Sequence, residues 1–149
     1  MSTTIRTTLK VESTDSFPSP VSLSTVTNNN LSGTFSGFQT VSITGDSRIK
    51  LNMAPIDGLS HTVLLYVKNN TSPSTATPPI PSPIIYVGRN ATIVGTEEPF
   101  IKLAQGDVAL LPYSGELTAS DLYAYLSASD AAAIVPVVAE LTFFIGEKD

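Results

Sequence analysis

The sequence predicts an all-β protein: an antiparallel β-sandwich or jelly-roll-like barrel of about 8–10 strands, with an extended N-terminal arm or edge strand. Three observations carry that expectation. Apolar side chains recur at every second residue along much of the chain, the spacing of a strand with one covered face. Turn-forming residues interrupt this alternation at intervals of roughly 8–12 residues, the rhythm of sandwiches and barrels. Helical spacing competes at only one stretch, residues 118–133. With 149 residues the chain has the length of one domain, which clusters near 100–150 residues.

The elements follow in order. Ile5, Thr7, Leu9 and Val11 alternate with Arg6, Thr8, Lys10 and Glu12, so residues 1–20 read as an arm or edge strand with a Pro-containing linker. Residues 21–149 read as the sandwich. Val21, Leu23 and Thr25 resume the alternation, and Asn28-Asn29-Asn30 closes it as a turn-prone triplet. Phe38 to Ile43 and Ile49 to Met53 read as neighbouring strands joined by a hairpin at Gly45-Asp46-Ser47. His61 to Lys68 is the most continuously apolar candidate, hence a central strand covered on both faces. Residues 70–83 hold five prolines; lacking amide donors, they cannot enter a sheet interior and read as a long surface loop. Ile84 to Gly88, Ala91 to Val94 and Phe100 to Leu103 are short strands, and Gln105-Gly106-Asp107 is a turn before Val108 to Pro112. At Thr118-Ala-Ser-Asp121 a capping box is open, with Leu122, Tyr125 and Leu126 at helical spacing; Leu122 to Leu126 also suits a strand, the favoured reading. Ala139, Leu141, Phe143 and Ile145 define a C-terminal strand, with Pro136 restricting its start to an edge or bulge.

Composition narrows the function. Eight Lys and Arg against thirteen Asp and Glu give a net charge of −5, the wrong sign for a counterion-displacing nucleic-acid binder. Ser and Thr number 36 while only 14% of residues are charged, and cysteine is absent, excluding disulfides and thiolate metal sites. The N-terminus lacks the apolar run of a secretory signal, and the longest apolar stretch, residues 131–139, is far short of the ~20 residues of a membrane helix. The expectation is a soluble protein made in a cytoplasm, without nucleic-acid or membrane partners.

No residue set converges on a reaction. His61 is the single histidine and opens an apolar strand, so an end-of-strand position in solvent explains it better than base catalysis or zinc ligation. Gly33-Thr-Phe-Ser36-Gly37 has the wrong spacing for a nucleophile elbow. Glu97-Glu98 before Pro99 reads as a solvated loop rather than a glycosidase pair, and Asp46, Asp57 and Asp107 each neighbour glycine in turns. No catalytic, cofactor-binding or metal-binding residue is assigned, and no enzyme activity is expected. Tyr66, Tyr86, Tyr113, Tyr123 and Tyr125 suit half-buried strand positions better than a sugar-stacking face. Asn-x-Ser/Thr triplets at Asn30, Asn69, Asn70 and Asn90 are ordinary in so hydroxyl-rich a chain. If Phe143 points into the core, Phe144 points outward and is a candidate partner contact, the alternative being coverage by the chain's own loops.

Val63 to Asn69, Ile84 to Gly88, Phe100 to Gly115 and Asp121-Leu-Tyr-Ala124 form a pattern: a strand ending in Lys-Asn, a Tyr-Val-Gly strand, and an Ile-x-Leu-x-x-Gly-Asp turn into Leu-Leu-Pro. Over roughly residues 61–145 this resembles small β-sandwich virion proteins of tailed bacteriophages. The loop at 70–83 is longer than that pattern has, and residues 1–60 carry no part of it. The resemblance implies a structural role, most directly as a capsid decoration (cement) protein on the outer shell. It also implies a homotrimer whose partner is the major capsid protein or another virion protein. A tail or baseplate component, or a receptor- or glycan-binding tip, is the alternative. In such a role residues 1–12, through Ile5, Leu9 and Val11, are expected to pair with a neighbouring chain, because an exposed strand edge offers its backbone to another sheet.

Overall fold

A computed structural model describes residues 3–13, 21–35, 37–45, 47–51, 62–73, 82–89, 99–114, 122–127 and 137–148. The ten strands among them are β1 (Thr3–Ser13), β2 (Val21–Phe35), β3 (Gln39–Thr44), β4 (Ile49–Lys50), β5 (Thr62–Asn69), β6 (Ile85–Arg89), β7 (Ile101–Leu103), β8 (Val108–Ser114), β9 (Leu122–Leu126) and β10 (Val138–Lys148). They form two antiparallel sheets packed as a sandwich, and neither closes into a barrel. The first runs β1-β2-β10-β5-β8, with β3 also on β10; the second runs β4-β9-β6-β7.

The alternation explains the core. Val63, Leu65 and Val67 of β5 and Ala139, Leu141, Phe143 and Ile145 of β10 turn the same way. They meet Ile85 and Val87 of β6, Leu103 of β7 and Leu122, Ala124 and Leu126 of β9. Burying each such Val, Leu, Ile or Phe contributes about 1.5–3 kcal/mol. β5 is central and covered on both faces, as its apolar run predicts, lying between β10 and β8. β9 buries every second residue, so its rhythm is that of a strand and not the helical alternative. The flanking residues 118–121 and 128–133 lie outside the described residues, as do Pro136 and the strand candidate Ala91 to Val94.

Two sequence readings are revised. Asn28-Asn29-Asn30 is not a turn: β2 runs through it, with Arg6, Ile5 and Thr4 as its cross-strand partners. The ladder satisfies backbone groups that a local turn would have used, and the Thr4 hydroxyl donates to Asn30 Oδ1 at 3.0 Å. Second, the 44–47 connection is not a hairpin between neighbours. The Ser47 amide donates to the Thr44 carbonyl at 3.0 Å, but β3 pairs with β10 while β4 pairs with β9, so the chain crosses from one sheet to the other. Ile43 and Leu51 both end in the core, reaching it from opposite sheets. β1 and β2 pair from Thr3↔Leu31 to Ser13↔Val21, so one ladder joins residues on either side of position 20.

Candidate functional site: the β1–β2 hairpin and the groove beneath it

β2 leads two lives. Its C-terminal end pairs with β10, Phe35 opposite Gly146 and Leu31 opposite Lys148. β3 continues along the same edge of β10, from Gln39 opposite Phe143 to Thr44 opposite Val138. Among the described residues, residues 21–30 have β1 alone as a ladder partner. The root of the hairpin is fixed by a second apolar cluster on the outer face of the larger sheet: Leu31, Leu64 and Phe144 buried, with Ile5, Tyr66 and Leu110 packed against them. Gly146 belongs to this root, since a Cβ there would sit 2.9 Å from both Leu31 Cδ1 and Phe144 Cζ. Only glycine permits that approach.

Beyond the root, cover is lost. Leu9 and Leu23, on the hairpin face that also carries Ile5, are 62% and 63% exposed, and Val26 on the opposite face is 47% exposed. Between hairpin and sheet lies a groove of about 330 Å³ lined by Thr7, Leu9, Thr25, Thr27, Leu64 and Pro112, among others. Its walls are hydroxyls, hydrocarbon and the carboxamide of Asn29, chemistry suited to an extended peptide segment.

The expected contact residues are thus sorted. Ile5 is half-buried in the root, Leu9 is presented to solvent, and the Val11 side chain lies outside the description. Phe144 faces away from the core as its neighbour's orientation requires, but it is only 4% exposed. Leu31 and Leu64 cover it, and Phe38 packs on it with ring centroids 5.2 Å apart. The outward-contact reading of Phe144 is therefore corrected to a buried root residue, covered by its own chain. Phe38 is the exposed ring of this cluster, and it also meets Tyr66 edge-on at 5.5 Å. Leu23 and Val26 are contact candidates the sequence reading passed over, although Leu23 continues the alternation that singled out Leu9.

The five tyrosines divide between the core and two outer faces, with Tyr86, Tyr123 and Tyr125 together on the outer face of the smaller sheet. Tyr113 is buried in the core, its hydroxyl accepting from Arg89 Nε and its ring stacked on Phe100 at 5.7 Å. Tyr66 lies on the outer face of the larger sheet. Tyr86 and Tyr125 are cross-strand partners on the smaller sheet, centroids 5.9 Å apart. Arg48 lies 4.2 Å over Tyr125 and Lys102 5.9 Å from Tyr86, so cations of the chain itself occupy ring faces that a sugar would need.

A further polar feature is structural. Asn69, fully buried, donates from Nδ2 to the carbonyls of Pro83 and Leu103, both at 3.2 Å, and its Oδ1 accepts from the Thr71 amide at 3.0 Å. Its backbone exchanges bonds with Asp107 and Gly106, each 3.0 Å. Gly106 holds φ 82°, a value glycine adopts without cost, and the Asp107 carboxylate accepts from the Ala104 amide at 2.8 Å. The Lys-Asn strand end and the Ile-x-Leu-x-x-Gly-Asp turn, distant in sequence, thus meet as one hydrogen-bonded joint between the sheets. Burial removes Asn69 from the glycosylation triplets.

Among the described residues no three His, Cys, Asp or Glu side chains are grouped to hold a metal ion, and no helix is long and apolar enough to cross a membrane. His61, Asp46, Asp57, Glu97, Glu98 and residues 74–81 of the Pro-rich segment lie outside the described residues. No family model, curated protein or solved structure matches the chain.

Proposed function

We propose that the chain is a non-enzymatic virion structural protein, a decoration (cement) protein that binds the outer shell of a tailed phage and stabilises it. One observation carries this reading. A long hairpin is rooted in the sandwich by Leu31, Leu64 and Phe144, while its far half presents Leu9, Leu23 and Val26 to solvent. Exposed leucines on a rigidly held strand pair are a docking element, because large apolar side chains left in water gain from cover. The sandwich supplies rigidity, the hairpin supplies contact, and repetition over a lattice turns modest contacts into firm attachment through effective concentration. The virion resemblance over residues 61–145 supports the same reading and implies as partner the major capsid protein or another virion protein.

The test is attachment to purified shells. Replacing both Leu23 and Val26 by Ser should leave folding intact, since both side chains are exposed, and should abolish co-sedimentation with shells. Unchanged attachment overturns the role of the hairpin. Quantitative mass spectrometry of whole particles tests the location: copies commensurate with the shell subunits support cement, whereas a handful per particle moves the protein to the tail.

A further inference from the structure

The ends of the two sheets differ in how much backbone they leave open. β8 is seven residues long and contains Pro112, β3 has six residues, β7 three and β4 two. Short or proline-bearing edges resist pairing with another chain. β1 is different: eleven residues, no proline, β2 on one side and no strand on the other among the described residues. Such an edge is a template for one more strand.

We propose that two copies of this chain join through β1, antiparallel about a two-fold axis, so that the six-stranded sheet continues from one copy into the other. The charges along β1 select the partner and the register. Directly opposed residues in an antiparallel pair share a face, so a self-pairing of β1 must be centred on one of its residues. Centred on Thr8, it sets Arg6 level with Lys10 of the other copy, twice; centred on Lys10, it sets Lys10 against itself. Both oppose like charges, which destabilises a strand pair. Centred on Thr7, it matches no opposite charges. Centred on Leu9, it brings Arg6 level with Glu12 of the other copy, twice by symmetry, and Lys10 level with Thr8. It also sets the two Leu9 side chains against each other, on the face that carries exposed Leu23. Centred on Val11, Lys10 comes level with Glu12, but only residues 9–13 of the two copies overlap, against 5–13 in the Leu9 register. The Leu9 register thus combines matched charge, covered hydrocarbon and the longer ladder. The contact is isologous and closes at two, whereas a trimer would need β1 to meet some other surface. This inference does not require the shell reading, and the Leu23 and Val26 variant that tests that reading leaves β1 unaltered.

Sedimentation equilibrium of the full chain should show a monomer–dimer equilibrium. Arg6→Glu should weaken it at least about tenfold by opposing like charges at two places. Adding Glu12→Arg in the same chain should restore it. Because the chain has no cysteine, Leu9→Cys introduces its sole thiol. Opposed Cα atoms in an antiparallel pair lie about 4.5–5.5 Å apart, within disulfide range, so mild oxidation should link two copies. Thr8→Cys, the counterpart for the Thr8-centred register, should link far less. Circular dichroism of each variant reports that the fold is kept. A monomer at every concentration, a trimer, an Arg6→Glu variant that associates as well as the parent, or linkage through Thr8→Cys in preference to Leu9→Cys would each overturn the proposal.

Discussion

Leu31 and Leu23 lie on the same strand, eight residues apart and on the same face, yet Leu31 is 1% exposed and Leu23 is 63% exposed. Nothing local distinguishes them: both continue one period-two pattern, and both pair across to β1, with Thr3 and Val11 respectively. What differs is the neighbour beyond the hairpin. Leu31 meets Leu64 and Phe144 of the sandwich, and Leu23 meets solvent. Alternation therefore specifies a face, and only a second layer makes that face a core. The same strand is structure at one end and contact surface at the other.

That contrast can be tested by stability. Leu31→Ala should cost about 2–3 kcal/mol, the lower part of the range for buried leucines, because Ile5 and Leu110 at the cluster margin can partly close the cavity. A denaturation midpoint within error of the parent would mean that the root is not packed as described. Gly146→Ala comes next: its new methyl would have to displace Leu31 and the Phe144 ring, for a loss of about 1–3 kcal/mol. A neutral or stabilising effect would show the root to be loose. Leu23→Ala should shift chemical denaturation by no more than about 0.5 kcal/mol, and a loss comparable to that of Leu31→Ala would erase the distinction between the two halves of β2.

The sequence made the sandwich legible where local pattern and final environment agree. β5 and the core face of β10 are such cases, because the continuous run His61 to Lys68 and the recurrence of Ala139, Leu141, Phe143 and Ile145 at every second position each imply their own degree of cover. It misled where a distant partner decided the outcome. Asn28 to Asn30 carry strong turn propensity, but a ladder to residues 4–6 overrides it. Gly45-Asp46-Ser47 correctly marks a chain reversal, while nothing within ten residues says that β4 will leave the sheet of β3 for a place beside β9. The contact surface was half visible: Ile5 and Leu9 are marked by rhythm, but which of them is buried depends on Leu64, some sixty residues away. For Phe144, inward-outward logic gave the right face and the wrong exposure. Asn69 looks like any other asparagine until the turn at Gly106 is brought beside it.

The position of β10 has a mechanical corollary. β2 and β3 run in succession along one of its edges, and β5 lies on the other. A tug on the hairpin in the direction of its strands would be parallel to β10, loading the bonds along that long seam side by side rather than unzipping them one after another. A tether built this way resists shear collectively, and its anchor extends from Lys148 back to Val138, the full length of the last strand.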